Sequence, residues 1–105
     1  MSAFEDREKG FERKFVSDQE LEFRAQSRAS RALGEWAARK MELENVDDYV
    51  RAVVRAELGA GGEDDVVRKV TQDLAGAGIE VRETEVRSRM EEFLAIAREQ
   101  AKAGE

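Results

Sequence analysis

Phe4, Phe11 and Phe15 stand among charged residues, Glu5, Asp6, Arg7, Glu8, Lys9, Glu12, Arg13 and Lys14. On a helix advancing about 100° per residue they fall within about 40° of one another. The chemistry this spacing suits is recognition, not catalysis. A narrow aromatic stripe on an otherwise solvated helix is the pattern of a segment that lays its apolar side into another protein's groove. A chain terminus ordinarily carries few such anchors and frays. The competing reading is that the stripe packs back on its own chain as an extra helical turn, and pattern alone leaves both open.

Other clusters carry weaker chemistry. Glu63-Asp64-Asp65 has the charge for a cation but lacks the alternating ligands and central glycine of a calcium loop. Acids opening a helix, where they complement its dipole, is the better reading. Gly59-Ala60-Gly61-Gly62 has no following Lys and Ser/Thr, so it reads as a helix C-cap and turn, not a phosphate cradle. Glu91-Glu92 and Glu42/Glu44 are paired acids without a partner base and read as helix surface. Trp36 lies on an apolar face with Ala32 and Leu33, which favours core packing over ligand stacking. Arg24, Arg28, Arg31 and Arg39 make one helix basic on one side. They serve either solvation and internal pairing or contact with an acidic partner, and the sequence does not choose.

The totals exclude several classes. The 105 residues suffice for one domain with a modest core. Cysteine is absent, which removes disulfides and thiolate chemistry, and histidine is absent, which removes the usual acid-base group and zinc ligand. No cofactor or metal is expected. Adenine-nucleotide binding has only the glycine cluster and the basic helix behind it. A net charge of −6 makes nucleic acid a poor partner. No apolar run is long enough to span a membrane, and no signal-peptide core opens the chain, so a cytoplasmic protein, monomeric when free, is expected.

The elements that position these residues are helical. Charged residues make up 40% and proline is absent, which favours helices. Residues 1–17 are neutral overall, and the rest carries the net negative charge. Ser17-Asp18-Gln19-Glu20 reads as a capping box, with Ser17 as N-cap and Glu20 three residues on. It divides a mobile tail, residues 1–16, from a domain, residues 17–105; the alternative is one continuous helix from about residue 4 to 42. The first domain helix places Leu21, Ala25, Ala29, Ala32 and Trp36 on one face. A second starts near Asn45 or Asp47, is apolar at Val46, Tyr49, Val50, Val53, Val54 and Leu58, and ends in the glycine run. A third places Val66, Val67, Val70 and Leu74 together and ends at Gly76 and Gly78. A fourth, about residues 82–103, is apolar at Val86, Met90, Phe93, Leu94, Ala97 and Ala101, with Glu83/Arg87 and Glu85/Arg89 in support. Four amphipathic segments with short links predict an all-α, small four-helix bundle with a mobile N-terminal segment.

The run from Phe4 to Phe15, followed by Asp18, Glu20, Phe23 and Arg24, strongly resembles the zeta subunit family of alphaproteobacterial F-type ATP synthases. Leu33-Gly34-Glu35-Trp36-Ala37-Ala38 and Gly62-Glu63-Asp64-Asp65-Val66-Val67-Arg68-Lys69-Val70 look like further family motifs, and the likeness covers essentially the whole chain. It implies a four-helix bundle whose mobile N-terminal segment inhibits ATP hydrolysis. The segment would enter the catalytic head as a helix between alpha and beta subunits near the gamma stalk and act as a pawl.

By the same resemblance Phe4, Arg7, Glu8, Phe11, Glu12, Lys14 and Phe15 would carry inhibition, with Asp18, Arg24 and Arg28 as secondary contacts. The protein would be non-enzymatic, bind without a cofactor, and sit peripheral to the inner membrane when attached to the synthase. Gly10, where many relatives have Ala, costs about 1 kcal/mol of helix propensity and implies weaker inhibition. A non-inhibitory helical adaptor and a nucleotide-sensing module are the alternatives.

Overall fold

The computed structural model describes the backbone of residues 3–104 and the side chains of residues 18–104. Four helices follow one another: α1 (Ala3–Lys40), α2 (Val46–Glu57), α3 (Glu63–Gly76) and α4 (Glu83–Lys102). The protein is all-α, as the periodicity indicates. α1 is the spine, packed against each of the other three. α4 returns antiparallel along it, with Arg89 beside Trp36 and Arg98 bonded to Glu22.

The core-facing side of α1 is made of small residues. Ala25, Ala29, Leu33 and Ala37 are fully buried, and Ser30 is buried with them. Small side chains let neighbouring helices approach closely. The limit is reached at Gly34, where a Cβ would stand 3.3 Å from Val50 Cα and 3.4 Å from Val53 Cβ. The larger volume comes from across the interface: Val53 of α2, Val66, Val67, Val70 and Leu74 of α3, and Val86, Met90 and Leu94 of α4. Each such side chain, fully buried, contributes about 1.5–3 kcal/mol. Tyr49 ties α2 to α3 by donating to Asp73 Oδ2 at 2.8 Å, while Lys69 pairs with the same oxygen at 3.0 Å. Burial, and then the Asp73 carboxylate, hold the Tyr49 hydroxyl protonated well above the usual phenol range.

Four sequence expectations need correction. α1 does not begin at Ser17 but passes through it. Neither glycine nor proline lies near that point, and extending an existing helix costs less than nucleating a new one. The buried face of α1 is rotated from the expected one: Leu33 and Ala37 are buried, while Leu21, Ala32 and Trp36 are half-buried. A helix flanked on two sides buries a wider arc than one apolar stripe predicts. Leu58 does not extend the apolar face of α2; it is the C-cap and 74% exposed. Finally, the left-handed glycine of the 59–62 run is Gly62, with φ 54°, and it caps the start of α3, not the end of α2.

The remaining ends are as read. Asn45 caps α2, its side chain accepting from the Asp48 amide at 3.1 Å. Gly78, with φ 81°, supplies the left-handed residue after α3. One unexpected turn closes α1. Glu42 adopts φ 55°, which lets the Leu43 amide reach back to the Ala38 carbonyl at 3.0 Å.

Candidate functional site: the N-terminal end of the long helix

Phe4, Arg7, Glu8, Phe11, Glu12, Lys14 and Phe15 lie on the α1 backbone, but their side chains are outside the described residues. The expected mobility of residues 1–16 likewise falls outside them. The described residues fix the path of the helix and the point beside it where α4 ends.

That point is Asp18. Glu22 pairs with Arg98, and four residues further along α4 Lys102 lines a shallow groove with Asp18, Leu21, Glu22 and Arg98. α4 ends at Lys102, so Asp18 marks the last turn of α1 that it can flank. α1 itself continues back to Ala3.

The helical phase carries across this boundary. Positions 4, 11 and 15 precede positions 22, 29 and 33 by 18 residues each. At about 3.6 residues per turn that is about five whole turns. Position 22 holds the α4 contact, and 29 and 33 are fully buried. The three phenylalanine positions therefore fall on the helix face that α4 and the core occupy lower down. Phe23 stands off that line and is 67% exposed.

A hydrogen-bonded fork guards the boundary. Arg98 donates from Nη2 to Glu22 Oε1 at 2.7 Å and from Nε to Glu22 Oε2 at 3.1 Å. The bond from Arg98 holds the Glu22 carboxyl below the usual carboxylate range, against the opposing effect of burial. Sequence reasoning passed over this pair. Its signal was opposite charge near the ends of the two longest helices, which no spacing rule connects.

The secondary contacts are on the surface. Asp18 and Arg24 are exposed, and Arg28 is half-buried. Among the described residues none of Arg24, Arg28, Arg31 and Arg39 forms an ion pair, so internal pairing with the acidic helices does not account for them. Trp36 is partly buried against the core, with Lys40 and Arg89 at 5.4 Å and 5.3 Å from its ring centre. Glu63, Asp64 and Asp65 open α3 as helix-start acids, and no group of three metal-ligating side chains occurs among the described residues. No helix among the described residues is long and apolar enough to cross a membrane.

A small antiparallel helical bundle carrying one over-long helix, with its aromatic positions in phase with its own core, is the class these features define. The chain belongs to the ATPase inhibitor subunit zeta family, which it matches over residues 1–100. The match takes in the tail as well as the bundle, and the family makes the role a regulatory one. No individually curated protein matches the chain.

Proposed function

We propose that this protein inhibits ATP hydrolysis by an F-type ATP synthase by inserting its residue 1–16 segment into the catalytic head. The segment and the bundle of residues 17–105 are separate working parts. The observation behind this reading is that α1 outruns α4 on the face that α4 covers elsewhere. Groups supplied by alpha, beta and gamma subunits would take the place that α4 vacates at Asp18. Phe4, Phe11 and Phe15 are the anchors. Arg7, Glu8, Glu12 and Lys14 set the register by charge. Asp18, Arg24 and Arg28 provide a second, polar contact at the root. Bound in this way, the protein is peripheral to the inner membrane.

The physical requirement is that the anchors outweigh the cost of fixing the helix. A phenylalanine buried on binding contributes about 1.5–3 kcal/mol, and three of them can offset the ordering of a short segment. The test is ATP hydrolysis by the cognate catalytic head, with the full chain beside a version lacking residues 1–16. Inhibition that disappears with the segment supports insertion. Binding of both forms without inhibition by either would make the protein a structural adaptor.

A further inference from the structure

The helices treat their cations differently. Every arginine and lysine within α3 and α4 forms an ion pair: Arg68 and Lys69 on α3, and Arg87, Arg89, Arg98 and Lys102 on α4. On α1, among the described residues, none does. Arg39 and Lys40 lie in the last turn, where cations answer the helix dipole, and Lys40 also stands over the Trp36 ring. Arg24, Arg28 and Arg31 have no such employment.

These three fall within about 60° of one another, about 150° round α1 from the line that meets α4. No acid interrupts them: residues 23–34 contain neither Asp nor Glu. The net negative charge of the chain lies instead in residues 41–105. Apolar footholds stand at both ends of the row. Phe23, before Arg24, is 67% exposed. Arg31 lines a groove between α1 and α2 with the half-buried Val50 and Val54. From Phe23 to Arg31 is about 12 Å along the helix. An open aromatic beside uncommitted arginines is the composition of an interface anchor.

We propose that Phe23, Arg24, Arg28 and Arg31 form a docking strip for an acidic protein surface that has an apolar pocket for the phenylalanine. The inference rests on the proposed function in taking the catalytic head as the bearer of that surface. It adds a hold on the opposite side of α1 from the tail's aromatic face, so the head clasps the helix from two sides. The strip is bounded. Glu20 and Glu35, both exposed, lie on the same side of α1, one turn beyond Arg24 and Arg31. A flat anionic bilayer would meet these acids together with the arginines, whereas an acidic protein patch of the strip's length meets the arginines alone.

Association of the full chain with the cognate catalytic head, measured by biolayer interferometry at low and at physiological salt, tests the strip. Wild-type affinity should fall as salt rises. Arg24→Glu and Arg31→Glu should each raise the dissociation constant about 10-fold at low salt and flatten its salt dependence. Phe23→Ala should raise it about 10-fold at both salts. Phe23 and Arg31 take no part in the tail's contacts, so a loss there belongs to the strip. All three side chains are exposed, and the melting temperature should stay at the wild-type value. Arg31→Gln serves if Arg31→Glu does not fold. Wild-type affinity in both Arg31→Glu and Phe23→Ala overturns the strip, and so does tighter binding by Arg31→Glu, the sign of a basic partner surface. Binding to phosphatidylglycerol vesicles that Arg31→Glu abolishes, with affinity for the head unchanged, also overturns it and marks a membrane contact. The tail reading fails in a different measurement, when the wild type binds the head without inhibiting hydrolysis.

Discussion

Arg98 and Glu22 meet through a fork of hydrogen bonds, the shortest at 2.7 Å and 3.1 Å, one turn before α4 ends at Lys102. Both side chains are about half exposed, so the pair locates the junction more than it stabilises the fold. Its worth in stability is at most about 1 kcal/mol. Because Arg98 lowers the proton affinity of Glu22, this contribution is present above 4.5 and is lost as pH falls through the depressed folded value. Urea unfolding of wild type and Arg98→Ala should therefore differ at pH 7 by up to that amount, and the gap should close in acid. A gap that persists at low pH would mean that Arg98 acts by packing its alkyl stem.

Gly34 is required by closeness, not by backbone conformation. Leucine there would meet Val50 and Val53 and force α2 away from α1. Gly34→Leu should cost about 1–3 kcal/mol by overpacking. Gly34→Ala sets a helix-propensity gain of about 1 kcal/mol against a tight contact and should stay near wild type. Thermal melts followed by circular dichroism decide the matter, and a melting temperature unchanged by leucine would show that the interface is looser than described.

Glu42 offers a gain. Its left-handed backbone, φ 55°, disfavours any residue with a Cβ by roughly 1–2 kcal/mol. Glu42→Gly removes that strain and gives some of it back as unfolded-chain entropy, for a net stabilisation of about 0.5–1 kcal/mol. The urea midpoint should rise. A lower midpoint would identify a contact of the Glu42 side chain that outweighs the strain.

For inhibition, Phe11→Ala and Phe15→Ala should each raise the half-inhibitory concentration about 10- to 100-fold, the equivalent of the burial energy of one phenylalanine. The melting temperature of the bundle should not move, because α4 ends opposite Asp18. A fall in melting temperature in either variant would place that residue on the bundle itself.

The sequence made the bundle legible where one face alone is buried. α3 and α4 have a single apolar stripe each, and Val66, Val67, Val70 and Leu74 are buried as their spacing indicates. It was less legible in α1, which packs against three helices: Ala25 and Ala29 are buried as their spacing indicates, but Ser30 and Gly34 are buried with them and carry no apolar signal. Ser17-Asp18-Gln19-Glu20 misled because a capping box is a local signal, and a helix already under way passes through it. The glycine run was recognised as a turn, but which glycine would turn left-handed depends on the approach of α3, a tertiary fact. Of the candidate site, the aromatic spacing was visible in the sequence. The Glu22–Arg98 fork joins residues far apart in the chain, and no one-dimensional rule reaches it.

The 18-residue interval between the phenylalanine positions and the α4-facing positions makes α1 a ruler whose graduations are angles as well as lengths. One residue inserted between positions 16 and 21 would swing the aromatic face by about 100° while leaving every side chain in the protein intact. An insertion of 18 residues would return the face to its bearing and carry it about 27 Å further from the bundle. The connection between the two parts is thus sensitive to residue number before it is sensitive to residue type. A one-residue deletion there would turn the aromatic face away from the α4 side by the same angle.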